Sequence, residues 1–312
     1  PFFVECRGMM KPTLQLPSPD DVLRARARIS RLVVRTPLLR CEALDAHTGA
    51  EVWVKAEVLQ HTGSFKIRGA SNAIAQLSSA ERARGVVAFS SGNHAQGVAR
   101  AARLAGLQAT IVMPSDAPMI KVERVREDGE EIIFYDRQRE SREAIAGHLA
   151  DARGAALIPS YDHADVIAGQ GTLGLELVEQ LDAPLDRLIC CVGGGGLIAG
   201  CALAMEAVSP GTRVYGAEPD GHDDYARSLD QGVRVSNAPG MRTICDAIVT
   251  DKPGEMTFAI NQPRLSGIGV VSDADIAAAM RFAYRVLKLV VEPGGAAALA
   301  AVMVGKADIQ PG

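Results

Sequence analysis

Short apolar runs alternate along the chain with longer segments in which apolar residues recur every three or four positions. The short runs are rich in β-branched residues, which is typical of strands buried on both faces, and the longer segments have the period of amphipathic helices. Ser18, Pro19 and two aspartates mark the start of the first helix. The predicted strands are residues 52–55, 86–90, 109–113, 131–135, 155–158, 188–192 and 214–218. The predicted helices include residues 19–32, 70–77, 95–104, 142–152, 173–181, 197–208 and 294–304.

This alternation predicts an α/β fold with parallel sheets that are covered by helices. In such sheets ligands bind beyond the carboxyl ends of the strands. Three unusual segments follow predicted strands, namely residues 90–94, the glycines 193–196 and the acidic turn after Glu218. We therefore expect these three segments to form or adjoin one ligand site.

Composition narrows the class of protein without changing this picture. The chain has 312 residues, 47% hydrophobic and 22% charged, which is ordinary for a globular protein with a substantial core. A net charge of -4 gives no basic surface for nucleic acid, and no apolar run approaches the roughly 20 residues that span a bilayer. The six cysteines form no CxxC pair, so we expect reduced thiols in a cytoplasmic protein. Residues 1–10, which precede or include a plausible start at Met9-Met10, are left out of the fold argument.

Four consecutive glycines, Gly193, Gly194, Gly195 and Gly196, separate a predicted strand from a predicted helix. Such a loop can turn several N–H groups toward one point in front of a helix N-terminus, an arrangement that holds a phosphate. The segment does not match GxxxxGK[ST], which argues against a nucleoside triphosphate. The alternative is a flexible turn that permits tight strand–helix packing.

Lys66 lies between Phe65 and Ile67 at a predicted loop-to-helix entry. A lone lysine is usually a solvated surface charge, but a desolvated lysine has a lowered pKa and attacks carbonyl groups. Together with a phosphate cradle, Lys66 indicates a phosphorylated aldehyde that is held as a Schiff base. The segment Ser90, Ser91, Gly92, Asn93 and His94 suits a substrate carboxylate, with Asn93 bonding a cofactor oxygen, although an ordinary N-cap explains it equally well.

Four motifs resemble the serine/threonine dehydratase and serine racemase family, which are pyridoxal-phosphate (PLP) enzymes of fold type II. They are Ser64-Phe65-Lys66-Ile67-Arg68-Gly69-Ala70, Ser90-Ser91-Gly92-Asn93-His94-Ala95-Gln96-Gly97, Val166-Ile167-Ala168-Gly169-Gln170-Gly171-Thr172 and residues 192–197. The resemblance runs from about residue 18 to about residue 304. It implies a tryptophan synthase β-like fold with two open parallel-sheet lobes and PLP in the cleft. Residues 84–160 would form a small mobile domain, and residues 1–83 with 161–312 a large PLP-binding domain.

The same resemblance implies a role for each matched residue. Lys66 would be the Schiff-base lysine, and Ser91 the acid on the opposite face in racemases. The implied cofactor contacts are Phe65, Asn93, Tyr161 and the four glycines, and the implied substrate contacts are Ser90, Ser91, Gly92 and His94. The family's serine that faces the pyridine nitrogen lies in a later Ser-Gly-Gly-Asn segment, so no partner for that nitrogen is assigned here.

The segment Glu218-Pro219-Asp220-Gly221-His222-Asp223-Asp224 resembles the family's divalent-cation site. Glu218 and Asp224 would give carboxylate oxygens and His222 its main-chain carbonyl, a set that suits Mg²⁺ or Ca²⁺. The alternative is a solvated acidic turn.

The resemblance implies a dehydratase that converts a β-hydroxy amino acid to a 2-keto acid and ammonia, acting as a homodimer. Candidate substrates are L-threonine, L-serine, L-threo-3-hydroxyaspartate and 3-phenylserine. A hydroxyaspartate enzyme needs a cation near the β-carboxylate, and Arg137, Arg139 and Arg242 are not placed by the sequence. Tyr161 stands where dehydratases have an aromatic residue, which favours dehydratase over the alternative, serine racemase. A β-replacement enzyme and a non-catalytic binder of a phosphorylated molecule are weaker alternatives.

Overall fold

The computed structural model describes residues 14–90 and 92–308, so residues 1–10 lie outside it. Its strands are β1 Leu38–Arg40, β2 Trp53–Lys55, β3 Val86–Phe89, β4 Ala109–Pro114, β5 Glu131–Tyr135, β6 Ala156–Leu157, β7 Arg187–Cys191, β8 Arg213–Pro219 and β9 Leu265–Val271. The first seven helices are α1 Pro19–Ile29, α2 Glu42–Thr48, α3 Lys66–Ala75, α4 Ser79–Arg84, α5 Asn93–Ala105, α6 Met119–Glu127 and α7 Arg142–Arg153. They are followed by α8 Ala164–Gln180, α9 Gly196–Val208, α10 Asp224–Gln231, α11 Glu255–Asn261, α12 Asp273–Phe282 and α13 Pro293–Met303.

The strands form two parallel sheets, which confirms the predicted α/β class. One sheet has the order β5-β4-β3-β6, and the other has the order β7-β8-β9. A separate pair, β1 with β2, is antiparallel. Strands β3 to β6 fall within residues 84–160, but the division into a small mobile domain and a large domain stays a prediction.

The pattern of apolar residues missed some elements for a physical reason. Strand β9 contains Gly267 and Gly269, which interrupt the β-branched run that marked the other strands. Helix α8 is 17 residues long, but only its second half was predicted, because glycines and the burial of residues 166–177 hide the amphipathic period. Helix α1 agrees with its prediction, and Ser18 and Asp21 form a capping box at its start.

Helix α8 lies between the helix that begins at Lys66 and the helix that begins at Gly196. A Cβ atom on Gly171 of α8 would lie 2.5 Å from the Gly200 oxygen of α9, so the two backbones approach as closely as glycine allows. On its other side, α8 packs on α3, where a Cβ atom on Gly69 would lie 2.7 Å from the Val166 oxygen. The predicted motif 166–172 therefore fixes the distance between the lysine and the glycine loop.

Throughout residues 14–90 and 92–308, none of the helices combines the length and the apolar character that crossing a membrane requires.

Candidate active site

One cavity of about 1780 Å³ brings together most of the residues that the sequence singled out. Of the predicted metal-site residues, His222 lines this cavity. The predicted catalytic, cofactor and substrate residues that line it are Phe65, Lys66, Ser90, Gly92, Asn93, His94, Tyr161, Gly193, Gly194, Gly195 and Gly196. They come from the starts of α3, α5 and α9 and from the segment that follows β6. Ser91 lies outside the described residues, and its predicted role as an acid stays a prediction.

Lys66 is the first residue of α3, so its side chain stands at the loop-to-helix entry that the sequence predicted. Its Nζ donates to the main-chain oxygen of Ser160 at 2.8 Å and lies 5.3 Å from the centre of the Phe65 ring. Burial lowers the pKa of Lys66 from 10.5 to about 8, and the charge of Glu292 opposes this shift only in part. A usable fraction of the amine is therefore neutral near physiological pH, as attack on a carbonyl requires.

The glycine loop adopts a conformation that other residues cannot take. Gly195 has a φ of 91°, in the left-handed region, and a Cβ atom there would lie 2.5 Å from the Tyr225 hydroxyl. Helix α9 begins at Gly196, and the first N–H groups of a helix have no acceptor within it. These donors and the positive end of the helix dipole suit an anion such as a phosphate.

Tyr161 covers this loop and links it to the lysine. Its ring lies against Gly194, and a Cβ atom on Gly196 would come within 2.9 Å of the Tyr161 Cα. The preceding residue, Ser160, supplies the carbonyl that accepts from Lys66. The chain after β6 therefore contacts both halves of the proposed cofactor site.

Glu292 is the main site residue that sequence reasoning missed. It stands directly before Pro293 at the start of α13, where a glutamate looks like an ordinary helix cap. Its Oε1 accepts from the Asn93 amide at 2.5 Å, and burial raises its pKa although Asn93 and other partners oppose the shift. Only the fold brings this carboxylate beside Asn93 and Lys66, because 199 positions separate Asn93 from Glu292.

His94 is buried and bonded to the main chain, and its ring carries no charge. Its Nε2 is 2.8 Å from the Ile158 oxygen, and burial, together with the charge of Lys66, lowers its pKa to about 3. The ring is therefore neutral at physiological pH and donates from Nε2 to that carbonyl. Nearby, the Ser90 hydroxyl accepts from the Gly92 N–H at 3.2 Å, a turn that opens the start of α5 toward the cavity.

Basic side chains line one wall of the cavity. Arg142, at the start of α7, lies with Cζ 5.6 Å from the centre of the Phe89 ring and pairs through Nε with Glu143 at 2.8 Å. Arg137 also lines the cavity, whereas the side chain of Arg139 is 85% exposed to solvent. The sequence did not single out Arg142, because residues 136–142 also have the pattern of a solvated, charged helix start.

Residues 29–312 match the sequence profile of the pyridoxal-phosphate dependent enzymes. The chain belongs to this family. It is 49% identical to an L-threo-3-hydroxyaspartate ammonia-lyase from Pseudomonas sp, over 93% of this chain and 90% of that protein. The corresponding enzyme of Saccharomyces cerevisiae is 44% identical, over 94% and 90% of the two chains. Maize serine racemase superposes with a TM-score of 0.89 at 41% identity, covering 93% of this chain and 87% of that one.

These likenesses confirm several predictions. The chain is a PLP-dependent enzyme with the α/β fold of type II, as predicted. A threonine deaminase structure from T.th. has the same fold, with a TM-score of 0.88, 43% identity and 95% coverage of both chains. The predicted dehydratase-type lyase is also confirmed, because the two ammonia-lyases rank above the serine racemase of Schizosaccharomyces pombe at 40% identity. The alternative of a non-catalytic binding protein is thereby set aside.

Neither the comparisons nor the grouping of side chains shows the predicted cation site in this PLP-dependent enzyme. Across the described ranges, no three His, Cys, Asp or Glu side chains are grouped so that they hold a metal ion. The Glu218 carboxylate accepts from the N–H groups of Tyr225 at 3.2 Å and Ala226 at 2.9 Å, so the backbone already serves it. The Asp224 carboxylate accepts from Asn237 at 2.6 Å through Oδ1, while its buried Oδ2 has no hydrogen-bond partner among the described residues.

Proposed function

We propose that this enzyme eliminates water from L-threo-3-hydroxyaspartate and releases a dicarboxylic 2-keto acid and ammonia. The observation that carries the proposal is a partly buried lysine of lowered pKa, Lys66, which lines the same cavity as a glycine-rich helix start. The substrate is supported by the relatives at 49% and 44% identity, both named L-threo-3-hydroxyaspartate ammonia-lyase. L-threonine and L-serine, which differ only beyond the β-hydroxyl, are expected as weaker substrates.

The residues of the cavity fit PLP. Lys66 offers an amine that burial keeps partly neutral, and the loop that contains Gly195 offers N–H groups for a phosphate. Phe65, Asn93 and Tyr161 are the side chains that would contact the ring. When bound, PLP supplies an electron sink for the electrons that remain at Cα after proton loss.

The residues of the chain move the proton and bind the substrate. Lys66 Nζ takes the proton from the substrate Cα, and the Ser160 carbonyl keeps that nitrogen in place at 2.8 Å. The start of α5, with Ser90 and Gly92, lines the cavity and would hold the α-carboxylate through its N–H groups and hydroxyl. The β-hydroxyl then leaves with a proton as water. The unsaturated amino acid that is released takes up one water in solution, which supplies the keto oxygen and frees ammonia.

Arg142 is our candidate for the β-carboxylate. It lines the cavity beside Phe89, and its guanidinium has the planar set of donors that binds a carboxylate through two hydrogen bonds. Its present partner, Glu143, is 57% exposed, so exchange of that surface pair for a substrate carboxylate has a low cost.

The test compares L-threo-3-hydroxyaspartate with L-threonine, assaying 2-keto acid and ammonia. Lys66→Ala is expected to lower turnover of both by at least about 10³-fold and to abolish the yellow absorption of the bound cofactor. Arg142→Gln is expected to lower kcat/KM for the hydroxyaspartate about 10- to 100-fold, the value of a hydrogen bond to a charged group, with little change for threonine. Arg139→Gln is the matched control, on an exposed arginine in the segment that precedes α7. Equal losses on both substrates in Arg142→Gln would exclude a β-carboxylate contact, and full activity of Lys66→Ala would refute the dehydratase mechanism.

Serine racemase is the second candidate, favoured by the 40% identity to the serine racemase of Schizosaccharomyces pombe. It is tested in the same reactions by measuring the D-amino acid. Ser91→Ala is expected to reduce any racemisation more than dehydration, because an acid on the opposite face is needed only for racemisation. Equal loss of the two activities would contradict this role for Ser91.

We also propose that Mg²⁺ or Ca²⁺ binds Glu218, Asp224 and the main-chain carbonyl of His222. In support, Glu218 and Asp224 are buried carboxylates with raised pKa values, first through burial, and the charge of Asp224 adds to the shift at Glu218. A cation there would complete the shell of the unpartnered Asp224 oxygen. Adding a chelator is expected to lower Tm, and added Mg²⁺ or Ca²⁺ to restore it, whereas Asp224→Asn should lose both responses. An unchanged Tm on chelation would remove the metal from the description.

The homodimer and the cytoplasmic location remain parts of this proposal. Sedimentation equilibrium of the purified protein tests the first, and fractionation of the source cells tests the second.

A further inference from the structure

Two buried polar side chains, which do not line the cavity, donate hydrogen bonds to the main-chain oxygens of the glycine loop. The Thr257 hydroxyl donates to the Gly194 oxygen at 2.6 Å, and the Asn261 amide donates to the Gly195 oxygen at 3.2 Å. Both donors lie on one short helix, α11, and both side chains are fully buried. The Gly194 oxygen also accepts from the Gly254 N–H, directly before α11, at 3.3 Å, and the Gly195 oxygen accepts from the Ala199 N–H of α9 at 3.0 Å. The Gly194 carbonyl is therefore directed toward α11, and the Gly195 carbonyl is bound by both α11 and the first turn of α9.

The direction of these carbonyls decides where the N–H groups point. The oxygen of Gly194 and the N–H of Gly195 belong to one peptide unit, and the oxygen of Gly195 and the N–H of Gly196 belong to the next. No cis peptide bond occurs in the described ranges, and in a trans peptide the C=O and N–H point in opposite directions. The Gly194 carbonyl faces α11 and the Gly195 carbonyl faces α11 and the first turn of α9, so the N–H groups of Gly195 and Gly196 point away from these acceptor contacts, and both glycines line the cavity that Lys66 lines.

Helix α11 is itself fixed to the active-site wall. The Asp162 carboxylate accepts from the N–H groups of Glu255 and Met256, each at 2.9 Å, and from Thr257 at 3.1 Å. Asp162 directly follows Tyr161, whose ring lies against Gly194. The carboxylate therefore holds the helix that carries Thr257 and Asn261 in register with the loop.

We propose that Thr257 and Asn261, held in place by Asp162, are positioning residues that preorganise the glycine loop for the phosphate of the cofactor. Without these donors the Gly194 carbonyl keeps only the 3.3 Å bond from the Gly254 N–H and the Gly195 carbonyl only the bond from α9, so the loop samples more backbone conformations, which are lost again when an anion binds. With them the N–H groups face the anion before it arrives. The inference rests on the proposed function only in taking the ligand of this loop to be the phosphate of PLP.

The test measures affinity for the cofactor, without any substrate. PLP is titrated into cofactor-free Thr257→Val, which keeps the shape of the side chain but lacks the donor. We expect the Kd for PLP to rise about tenfold, which corresponds to about 1.4 kcal/mol, while the Kd for pyridoxal, which lacks the phosphate, stays unchanged. Thr257→Ser should restore the wild-type Kd. The matched control is Thr212→Val, which removes a buried hydroxyl that donates to the Leu185 oxygen at 2.7 Å, away from the loop.

The titrations either support the positioning role of Thr257 or overturn it. A selective loss of PLP affinity in Thr257→Val, with the Tm of the cofactor-free protein lowered as much as in Thr212→Val, supports the positioning role. Equal PLP affinity in the two variants, or equal losses for PLP and pyridoxal, overturns it. If Thr257→Val does not fold, Asn261→Leu removes the donor to Gly195 and is read by the same two titrations. Failure of the dehydratase proposal appears separately, as a wild-type protein that binds PLP but forms no keto acid.

Discussion

Lys66, which is partly buried, and Arg68 are two cations that lie two residues apart on helix α3, yet their surroundings differ completely. Arg68 is fully buried and pairs with Glu57 at 2.8 Å and with Glu176 at 2.8 Å. Lys66 has one described hydrogen-bond partner, the neutral Ser160 carbonyl at 2.8 Å. One cation is thus neutralised by two carboxylates, and the other lies in a cavity with a carbonyl for a partner.

The difference changes the chemistry of the two side chains. Burial opposes the charge on Arg68, but its hydrogen bonds to Glu57 and Glu176 outweigh that cost and raise its pKa. Burial lowers the pKa of Lys66 to about 8, because the more distant charge of Glu292 compensates only in part. The same helix therefore carries a permanently charged group that fixes α3 against α8 and an amine that can lose its proton. Burial therefore produces a reactive lysine only where no carboxylate forms an ion pair with it, as Glu57 and Glu176 do with Arg68.

The largest effect that tests this comparison is on stability at Arg68. Arg68→Met leaves the Glu57 carboxylate without its buried partner, whereas Glu176 keeps Lys55 at 2.9 Å. We expect the free energy of unfolding to fall by about 3 kcal/mol, at the lower end for a broken buried pair. Denaturant unfolding measures it, with Arg24→Met as a control in an exposed pair that is worth less than about 1 kcal/mol. A loss no larger than that of the control would mean that the Arg68 network does not hold the helix.

The second prediction concerns pH and separates the two cations directly. The pKa of Lys66 is about 8 in the folded protein and 10.5 without the effect of burial, so between these values the unfolded chain binds more protons. The stability of the cofactor-free wild type should therefore rise relative to Lys66→Met from pH 8 to 10.5, by up to about 3 kcal/mol. The gap between wild type and Arg68→Met should stay constant over the same range, because arginine remains protonated. Parallel stability curves for wild type and Lys66→Met would show that the amine is not desolvated.

The smallest expected effect is at Glu292, the nearby charge that favours the protonated lysine. Glu292→Gln removes this charge but keeps an amide oxygen that can accept from Asn93. We expect the titration of Lys66 to move to lower pH, because burial then acts without opposition from Glu292. The reactivity of the lysine toward an amine-selective reagent, followed against pH, measures this shift. Glu179→Gln, on an exposed carboxylate paired with Arg26, should leave the titration unchanged.

Several parts of the site could be predicted because they are local. Lys66 between two apolar residues, and a run of glycines between a strand and a helix, have meanings that neighbouring residues set. Glu292, Arg142 and the donors behind the glycine loop could not be found in this way. Thr257 and Asn261 lie more than sixty positions from the glycines that they contact, and nothing near them in the sequence distinguishes them from ordinary helix residues.

The sequence by itself determined the fold class, the lysine and the glycine loop, because apolar periodicity and glycine runs act over a few residues. It also placed the motif around Gly171, although its meaning as a close crossing of two helices appeared only in the structure. The tertiary structure alone decided which charges meet, since electrostatic interactions depend on distance in space and not along the chain. It gave Arg68 two carboxylates and Lys66 a carbonyl, and in this way it made one cation structural and left the other free to react.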